Sequence, residues 1–212
     1  MQKALIIGAS SDIGLELTKL LLKKKYNIYC TYNKNPNYLK SLKKQNPNNI
    51  DVIKLDLHTI SEVRKFIKVF KKKTNQVNLI ILGANIKFHR RRFSLVSMNS
   101  FKKKILGNIL SNTFLIQFLI LYFLKKNKIK LIHVSSLASL KGSWGLSEYS
   151  SSKAAIDNIL KCLKFEFKKL HVKSIYLGAV KTRGYFFANK IRKKKIKFIS
   201  AFQAAKKILV GI

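Results

Sequence analysis

The 212-residue chain predicts an α/β fold, a doubly wound parallel sheet of about six strands with helices on both faces. Three observations predict it. Short apolar runs alternate with longer amphipathic ones along the whole length, a glycine turn follows the first apolar run and opens a helix, and Tyr149 and Lys153 stand four residues apart at the head of a helix-compatible run. Strands that alternate with helices are joined by right-handed crossovers, and such a sheet carries a cleft at the carboxyl ends of its strands.

Taken in order, Lys3 to Ile7 is the first strand, followed by Gly8-Ala9-Ser10-Ser11-Asp12-Ile13-Gly14 and a helix over 12–25. Gly8 permits a tight turn, Gly14 lets helix and strand pack closely, and the helix start offers amides and a positive dipole end to a diphosphate. The bland alternative is an ordinary turn capped by Ser11 or Asp12. Tyr26 to Tyr32 is the second strand, ending in Cys30-Thr31-Tyr32-Asn33-Lys34, and a helix spans 36–45. Ile50 to Leu55 is the third strand, running into Asp56-Leu57, and a helix covers 59–73. Leu79 to Leu82 is the fourth, ending in Gly83-Ala84-Asn85. A long apolar helix over 98–126 carries Asn108, which costs free energy among Ile, Leu and Phe unless it is hydrogen-bonded. Ile129 to Val134 is the fifth strand, leading to Ser135 and Ser136. A helix over 147–170 carries Tyr149 and Lys153, Val172 to Leu177 is the sixth strand, and a last helix lies near 200–210. The whole reads as one domain, 1–212, with a short segment at about 183–199 that covers a substrate.

Composition narrows the function classes. Lys and Arg number 44 against 8 Asp and Glu, a net charge of +36, yet the basic runs are scattered and no nucleic-acid motif accompanies them, so no specific nucleic-acid partner is expected. Asp12, Asp56 and Glu148 are informative because they persist against this background. No His/Cys cluster has metal-ligand spacing, so no metal is expected, and Cys30 and Cys162, both inside apolar runs, read as reduced core thiols of a cytoplasmic protein. Ile105 to Leu124 is long enough to span a bilayer, but Asn108, Ser111, Asn112, Thr113 and Gln117 interrupt it, and a buried helix is the expectation.

On a helix, positions i and i+4 stack, so the Lys153 ammonium can lie close enough to the Tyr149 phenol to stabilise its anion. A phenol titrates near about 10 in water, and a nearby cation brings proton transfer toward neutral pH. The spacing alone is weak. Company gives it weight: the glycine turn, Asn108, Ser136 and the Tyr149–Lys153 pair, in that order, resemble the short-chain dehydrogenase/reductase family from Lys3 to about Thr182, with its Rossmann fold.

The resemblance implies roles. Gly8 and Gly14 match the first and last glycines of the family's TGxxxGxG, with Asp12 in place of the middle one, so Gly8, Ser10, Ser11, Asp12, Ile13 and Gly14 would cradle the cofactor. Asp56, beside Leu57, matches the acid that hydrogen-bonds the adenine. Gly83 and Ala84 stand where the family has Asn-Asn-Ala-Gly, with only Ala84 in register. Asn108 matches the asparagine that holds a relay water near the lysine, and Ser136, with Ser135 as competitor, matches the serine that holds the substrate carbonyl. Tyr149 is then the proton donor or acceptor, and Lys153 binds the nicotinamide ribose as well as depressing the Tyr149 pKa. Gly178, Val180 and Thr182 match the family's segment for the nicotinamide carboxamide and diphosphate, without its proline.

No acid stands at the end of the second strand, whereas Asn33 and Lys34 would receive a 2′-phosphate, so NADP(H) is favoured over NAD(H). The reaction implied is hydride transfer between a nicotinamide and a carbonyl or secondary alcohol. The substrate would be a small or carrier-linked carbonyl, a 3-oxoacyl group being attractive, or a phosphorylated or nucleotide-linked one. The loop Leu137 to Ser147 with Trp144, and the segment Arg183 to Ile199 with Tyr185, Phe186, Phe187, Lys190, Arg192 and Lys193 to Lys195, would enclose it. The rival class is a non-catalytic or regulatory dinucleotide binder of the same fold. The helices 98–126 and 147–170 offer a homo-oligomer surface in Phe114, Leu115, Phe118, Leu121 and Tyr122, whereas an interface built on a further C-terminal strand is expected to be absent.

Overall fold

The structure, a computed structural model, describes residues 2–86, 88–189 and 196–212. Its sheet is built from β1 (Lys3–Ile7), β2 (Asn27–Tyr32), β3 (Ile50–Lys54), β4 (Leu79–Leu82), β5 (Ile129–Ser136) and β6 (Leu170–Leu177). All pairs are parallel and the order is β3-β2-β1-β4-β5-β6, the doubly wound arrangement expected from the alternation. The chain reverses direction across the sheet between β1 and β4, which opens a crevice above their carboxyl ends.

The inner strands β1, β2, β4 and β5 are buried on both faces, whereas the edge strands β3 and β6 are only partly covered, and the period of two divides the side chains between two cores. Leu5, Ile7, Ile80, Leu82 and Leu131 join α3 (Ile60–Lys73), α5 (Asn112–Phe123) and α7 (Ser147–Glu166) on one face, where Phe66, Phe70, Phe123 and Leu160 are fully enclosed. Ala4, Ile6, Leu79, Ile81 and Ile132 face α1 (Asp12–Lys23), α2 (Asn37–Gln45) and α9 (Ala201–Ile208), through Leu17, Leu21, Leu39, Ala205 and Ile208. Enclosing one such side chain is worth about 2 kcal/mol, so these positions, more than helix propensity, hold the helices on the sheet.

Helix starts follow side-chain chemistry. Ser11 Oγ accepts from Gly14 N at the start of α1, Thr59 Oγ1 from Glu62 N at α3, and Ser200 with Gln203 forms a reciprocal capping box at α9. The capping residue of α1 is therefore Ser11, and Asp12 occupies the first helical turn.

The long apolar segment is not one regular helix. α4 (Met98–Ile105) passes through a π-helical turn (Leu106–Ser111) into α5. Met98–Phe123 is long and apolar enough to cross a membrane by length and composition, but Leu115, Ile116, Leu119, Ile120 and Phe123 are spent on the sheet, as expected for a core helix. Leu115 is accordingly core and does not belong to an apolar outer surface, whereas Leu121 is exposed. The fourth and fifth helices of the sequence reading end early, because α5 stops at Phe123 and α7 at Glu166, where Phe167 turns extended and Leu170 begins β6. Short elements without a sequence signal complete the top of the sheet: α6 (Leu137–Lys141), β7 (Val180–Lys181), α8 (Arg183–Ala188) and β8 (Ile199–Ser200), β7 and β8 pairing in parallel.

Of the two cysteines, both free, Cys30 is core and burial pushes its thiol up to about 12, but Cys162 is exposed on α7. The expectation of two core thiols thus fails for Cys162. Leu160 faces the sheet, and two residues further the helix has turned about 200°, so an apolar neighbourhood in sequence is an outer face in space.

Candidate active site

The glycine turn is fixed by packing on three sides. Gly8 has φ +92°, and a Cβ there would stand 2.8 Å from the Ala84 amide nitrogen at the end of β4. Its own N–H donates to the buried Thr31 hydroxyl at 2.9 Å, tying the turn to β2. A Cβ on Gly14 would meet the Gly8 carbonyl and lie 2.7 Å from Ala9 Cα, so helix and strand cross at a distance only glycine allows. Ser10 and Ile13 are half-buried in this turn, whereas Ser11 is exposed. Small residues and backbone amides at the start of a twelve-residue helix suit a diphosphate, and the residues present fit a dinucleotide. Asp12 is the exception, an acid in the first turn whose carboxylate is engaged by Arg183.

The other proposed cofactor contacts differ in engagement. Asn33 Nδ2 lies 3.4 Å from Asp56 Oδ1, and Lys34 is exposed beside it. Burial pushes the Asp56 carboxyl up, but hydrogen bonds from the His58 amide at 2.9 Å and its ring outweigh this and hold it below the usual carboxylate range. Leu57 is buried. Gly83 continues the β1–β4 pairing through its N–H to the Ile7 carbonyl at 2.9 Å. Val180 is buried in β7, and Thr182 caps α8 by accepting from Tyr185 N at 3.1 Å. Gly178 is not sterically required, since a Cβ there would meet only Leu137 Cδ1 at 3.6 Å.

At the carboxyl end of β5 the side chains diverge. Ser135 Oγ donates to Asp157 Oδ2 at 2.5 Å, while Ser136, which caps α6 by accepting from Ala138 N at 3.2 Å, lies beside the Tyr149 phenol. Tyr149, Lys153 and Asp157 form an i, i+4, i+8 column on α7. The Lys153 ammonium donates to the Val134 carbonyl at 2.8 Å, and burial pushes it down to about 8, with the Asp157 charge opposing. Tyr149 is held above the usual phenol range, by burial first and the Asp157 charge last, with the Ser136 hydrogen bond acting the other way. The expected depression of Tyr149 by Lys153 is therefore not a property of this arrangement, in which the ammonium is turned to the strand.

Asn108, 3% exposed, sits in the π-helical turn with its Oδ1 accepting from Ile86 N at 2.7 Å. Gly107 makes this possible, because a Cβ there would collide with Ile86 Cδ1 and lie 2.9 Å from the Leu57 carbonyl. Asn108, Asn112, His133, Ser152 and Lys153 line a small cleft of roughly one water's size.

Several residues of the site carry no signal in the sequence reading. Asp157 is buried and accepts from His133 Nδ1 at 2.8 Å, Ser135, Ser139 at 3.0 Å and Ser174 at 2.7 Å, so it ties β5, α6, α7 and β6 together. Burial pushes it up, but these donors outweigh burial and hold it below the usual carboxylate range. Glu148, which the sequence does single out as one of its few acids, is buried beside Tyr149 and accepts from Ser100 Oγ of α4 at 2.7 Å. Phe88 stacks on Tyr149 at 4.2 Å between ring centres. Next to it the buried Arg90 joins three loops: its Nε donates to Asn189 Oδ1 at 2.9 Å, its amide to the Ala188 carbonyl at 2.9 Å, and its guanidinium to Ser143 Oγ and the Trp144 carbonyl. Leu137 and Leu140 are exposed on α6, Trp144 on the loop that follows it, and Phe186 on α8. Lys190, Arg192 and Lys193 to Lys195 lie outside the described residues. Among the described residues no group of His, Cys, Asp and Glu is placed to hold a metal ion.

A six-stranded parallel sheet with a glycine turn at its switch point, and Ser136, Tyr149 and Lys153 gathered at the end of β5, define a Rossmann-type oxidoreductase. The chain belongs to the short-chain dehydrogenase family, whose sequence pattern matches residues 2–193. Among curated proteins it is 27% identical over 198 residues to a 3-oxoacyl-[acyl-carrier-protein] reductase of Buchnera aphidicola, covering 92% of this chain and 80% of that one. It is 24% identical over 184 residues to a fatty acyl-CoA reductase of Acinetobacter baylyi, covering 84% of this chain but only 62% of the relative. Among solved structures it shares its fold with ElxO with NADP bound, at TM-score 0.85 and 22% identity over 99% of this chain and 90% of that one. A 3-ketoacyl-(acyl-carrier-protein) reductase from Brucella melitensis complexed with NADH also has a TM-score of 0.85, at 18% identity over 97% and 88%.

Proposed function

We propose that the protein is an NADP(H)-dependent ketoreductase that transfers hydride between the nicotinamide and a carbonyl or secondary alcohol. The observation that carries this reading is the Tyr149 phenol set beside Ser136, with Lys153 one helical turn further on and lining a small cleft together with Asn108. When bound, the nicotinamide supplies or accepts the hydride. In the reducing direction Ser136 Oγ holds the substrate carbonyl by a hydrogen bond, Tyr149 Oη gives that oxygen its proton, and the alcohol forms. The Lys153 ammonium, protonated at neutral pH, steadies the developing phenolate and turns from the Val134 carbonyl to the ribose hydroxyls. Asn108 keeps a water in the cleft through which Tyr149 is reprotonated. Gly8 to Gly14, Asn33, Lys34, Asp56, Leu57, Gly83, Ala84, Gly178, Val180 and Thr182 bind the cofactor in this reading. Preference for NADP(H) is supported by the exposed Lys34 and by the lack of an acid at the end of β2.

The substrate of this proposal is a 3-oxoacyl group or a similar carrier-linked carbonyl, with the segment at about 183–199 as its cover. Exposed Leu137, Leu140, Trp144 and Phe186 suit an acyl chain, and the net charge of +36 suits an acidic carrier or a phosphorylated handle. Two free cysteines support a cytoplasmic location, and exposed Leu121 and Phe165 support self-association through α5 and α7. A non-catalytic dinucleotide binder is the second reading, favoured by the one observation that Phe88 covers Tyr149.

One experiment separates the two: binding of NADPH and NADH followed by nucleotide fluorescence, then NADPH oxidation with ketones, 3-oxoacyl thioesters and sugar nucleotides. Turnover of a thioester by the wild type, abolished in Tyr149→Phe with cofactor binding retained, is the expected result. Cofactor binding without turnover of any carbonyl supports the binder, and activity retained in Tyr149→Phe refutes the assigned role.

A further inference from the structure

Asp12 stands where the family has its middle glycine, and the structure shows what the extra carboxylate does. Its Oδ2 accepts from the Arg183 backbone N–H at 2.7 Å, its Oδ1 accepts from Arg183 Nε at 2.7 Å, and Nη2 pairs with the same Oδ1 at 2.6 Å. The two residues are 171 positions apart, one opening α1 and the other opening α8. The same guanidinium lies 5.8 Å from the ring centre of Tyr38, near the start of α2. Arg183 thus reaches from the glycine turn to the start of α2. Two of its five N–H donors are used on Asp12, and the side chain is 65% exposed, which leaves three donors for another anion.

Charge explains why the pair belongs together. A carboxylate in the first turn of α1 gains from the helix dipole but opposes any phosphate brought to the same helix start. Arg183 cancels that charge and adds a planar fork of donors at the place where the diphosphate of a dinucleotide crosses from one half of the crevice to the other.

We propose that Arg183, positioned by Asp12, is a cofactor-phosphate ligand that straps the dinucleotide into the crevice. The proposal rests on the reading that this chain binds a nicotinamide dinucleotide. Its test is the dissociation constant of NADPH and of NADH, followed by nucleotide fluorescence, for the wild type, Arg183→Gln, Asp12→Asn and the double variant. Circular dichroism confirms that each is folded.

Arg183→Gln is expected to weaken binding by about ten-fold or more, the loss of one charge-assisted contact. An equal loss for both nucleotides places the contact on the diphosphate, and a loss confined to NADPH places it on the 2′-phosphate. Asp12→Asn is expected to keep or improve affinity, and the double variant to remain as weak as Arg183→Gln. Arg183→Gln within about two-fold of the wild type overturns the strap, as does recovery of wild-type affinity in the double variant, which would mean that Arg183 only neutralises Asp12. Failure of the wild type to bind either nucleotide would instead bring down the dinucleotide reading itself, and the strap with it.

Discussion

Acid sensitivity is expected to come first from His133. The ring is 3% exposed, donates from Nδ1 to Asp157, and is pushed down to about 4 from an ordinary value of 6.5, by burial first and the Lys153 charge second. The unfolded chain therefore takes up a proton below about 6.5 that the folded chain refuses until about 4, so stability falls as pH drops through that window. A separation of about 2.5 pH units corresponds to about 3 kcal/mol when fully expressed, of which about 2 kcal/mol is lost between pH 7 and 4.5. The other titrating groups facing this cluster fall outside the window. Asp157 is depressed, so its stabilisation is lost only below the ordinary 3.8, and Lys153, at about 8, stays protonated throughout.

His133→Asn keeps a donor near the Nδ1 position but cannot titrate. Urea is the suitable denaturant because it is uncharged and the chain carries +36. Unfolding midpoints read by far-ultraviolet circular dichroism should show the wild type losing about 2 kcal/mol more than His133→Asn between pH 7 and 4.5. Parallel curves for the two proteins, within about 0.5 kcal/mol, would refute the reasoning.

Gly14→Ala is expected to force the turn apart, because its Cβ would lie 2.7 Å from Ala9 Cα, and to weaken NADPH binding by about ten-fold or more, measured by fluorescence titration. Unchanged affinity would show that the turn does not bear on the nucleotide. Phe88→Ala should admit water to Tyr149 and lower its phenol pKa, since burial is the largest cause of its elevation. Tyrosinate absorbance on titration, with Phe88→Ala/Tyr149→Phe subtracting the other tyrosines, reads the shift, and no shift would mean that Phe88 does not shield the phenol.

Much of the fold is legible because buried parallel strands are unbroken apolar runs: Leu79–Leu82 is buried at all four positions and could be nothing else at that length. Tyr149 and Lys153 are legible because four residues on a helix is a spatial adjacency. Asp157 shares that adjacency with Lys153 and is one of only 8 acids, a signal the sequence contains but no motif flags. The Asp12–Arg183 pair spans 171 residues, and nothing local connects its halves. Phe88 and Arg90 were equally hidden, since loops that close over a site are organised by partners on other loops. Cys162 misleads for the opposite reason, because its apolar neighbours point elsewhere.

The π-helical turn at Leu106–Ser111 makes chain length itself a parameter of the site. One residue more than an α-turn needs rotates everything beyond it by about 100°, so α4 can turn Ser100 toward Glu148 while α5 gives its apolar stripe to the sheet. Between them Asn108 is aimed at the Ile86 amide. A deletion of one residue here would leave composition and hydropathy almost untouched yet put the two halves of the rod out of phase, so an insertion–deletion scan should mark this turn where a substitution scan would pass over it.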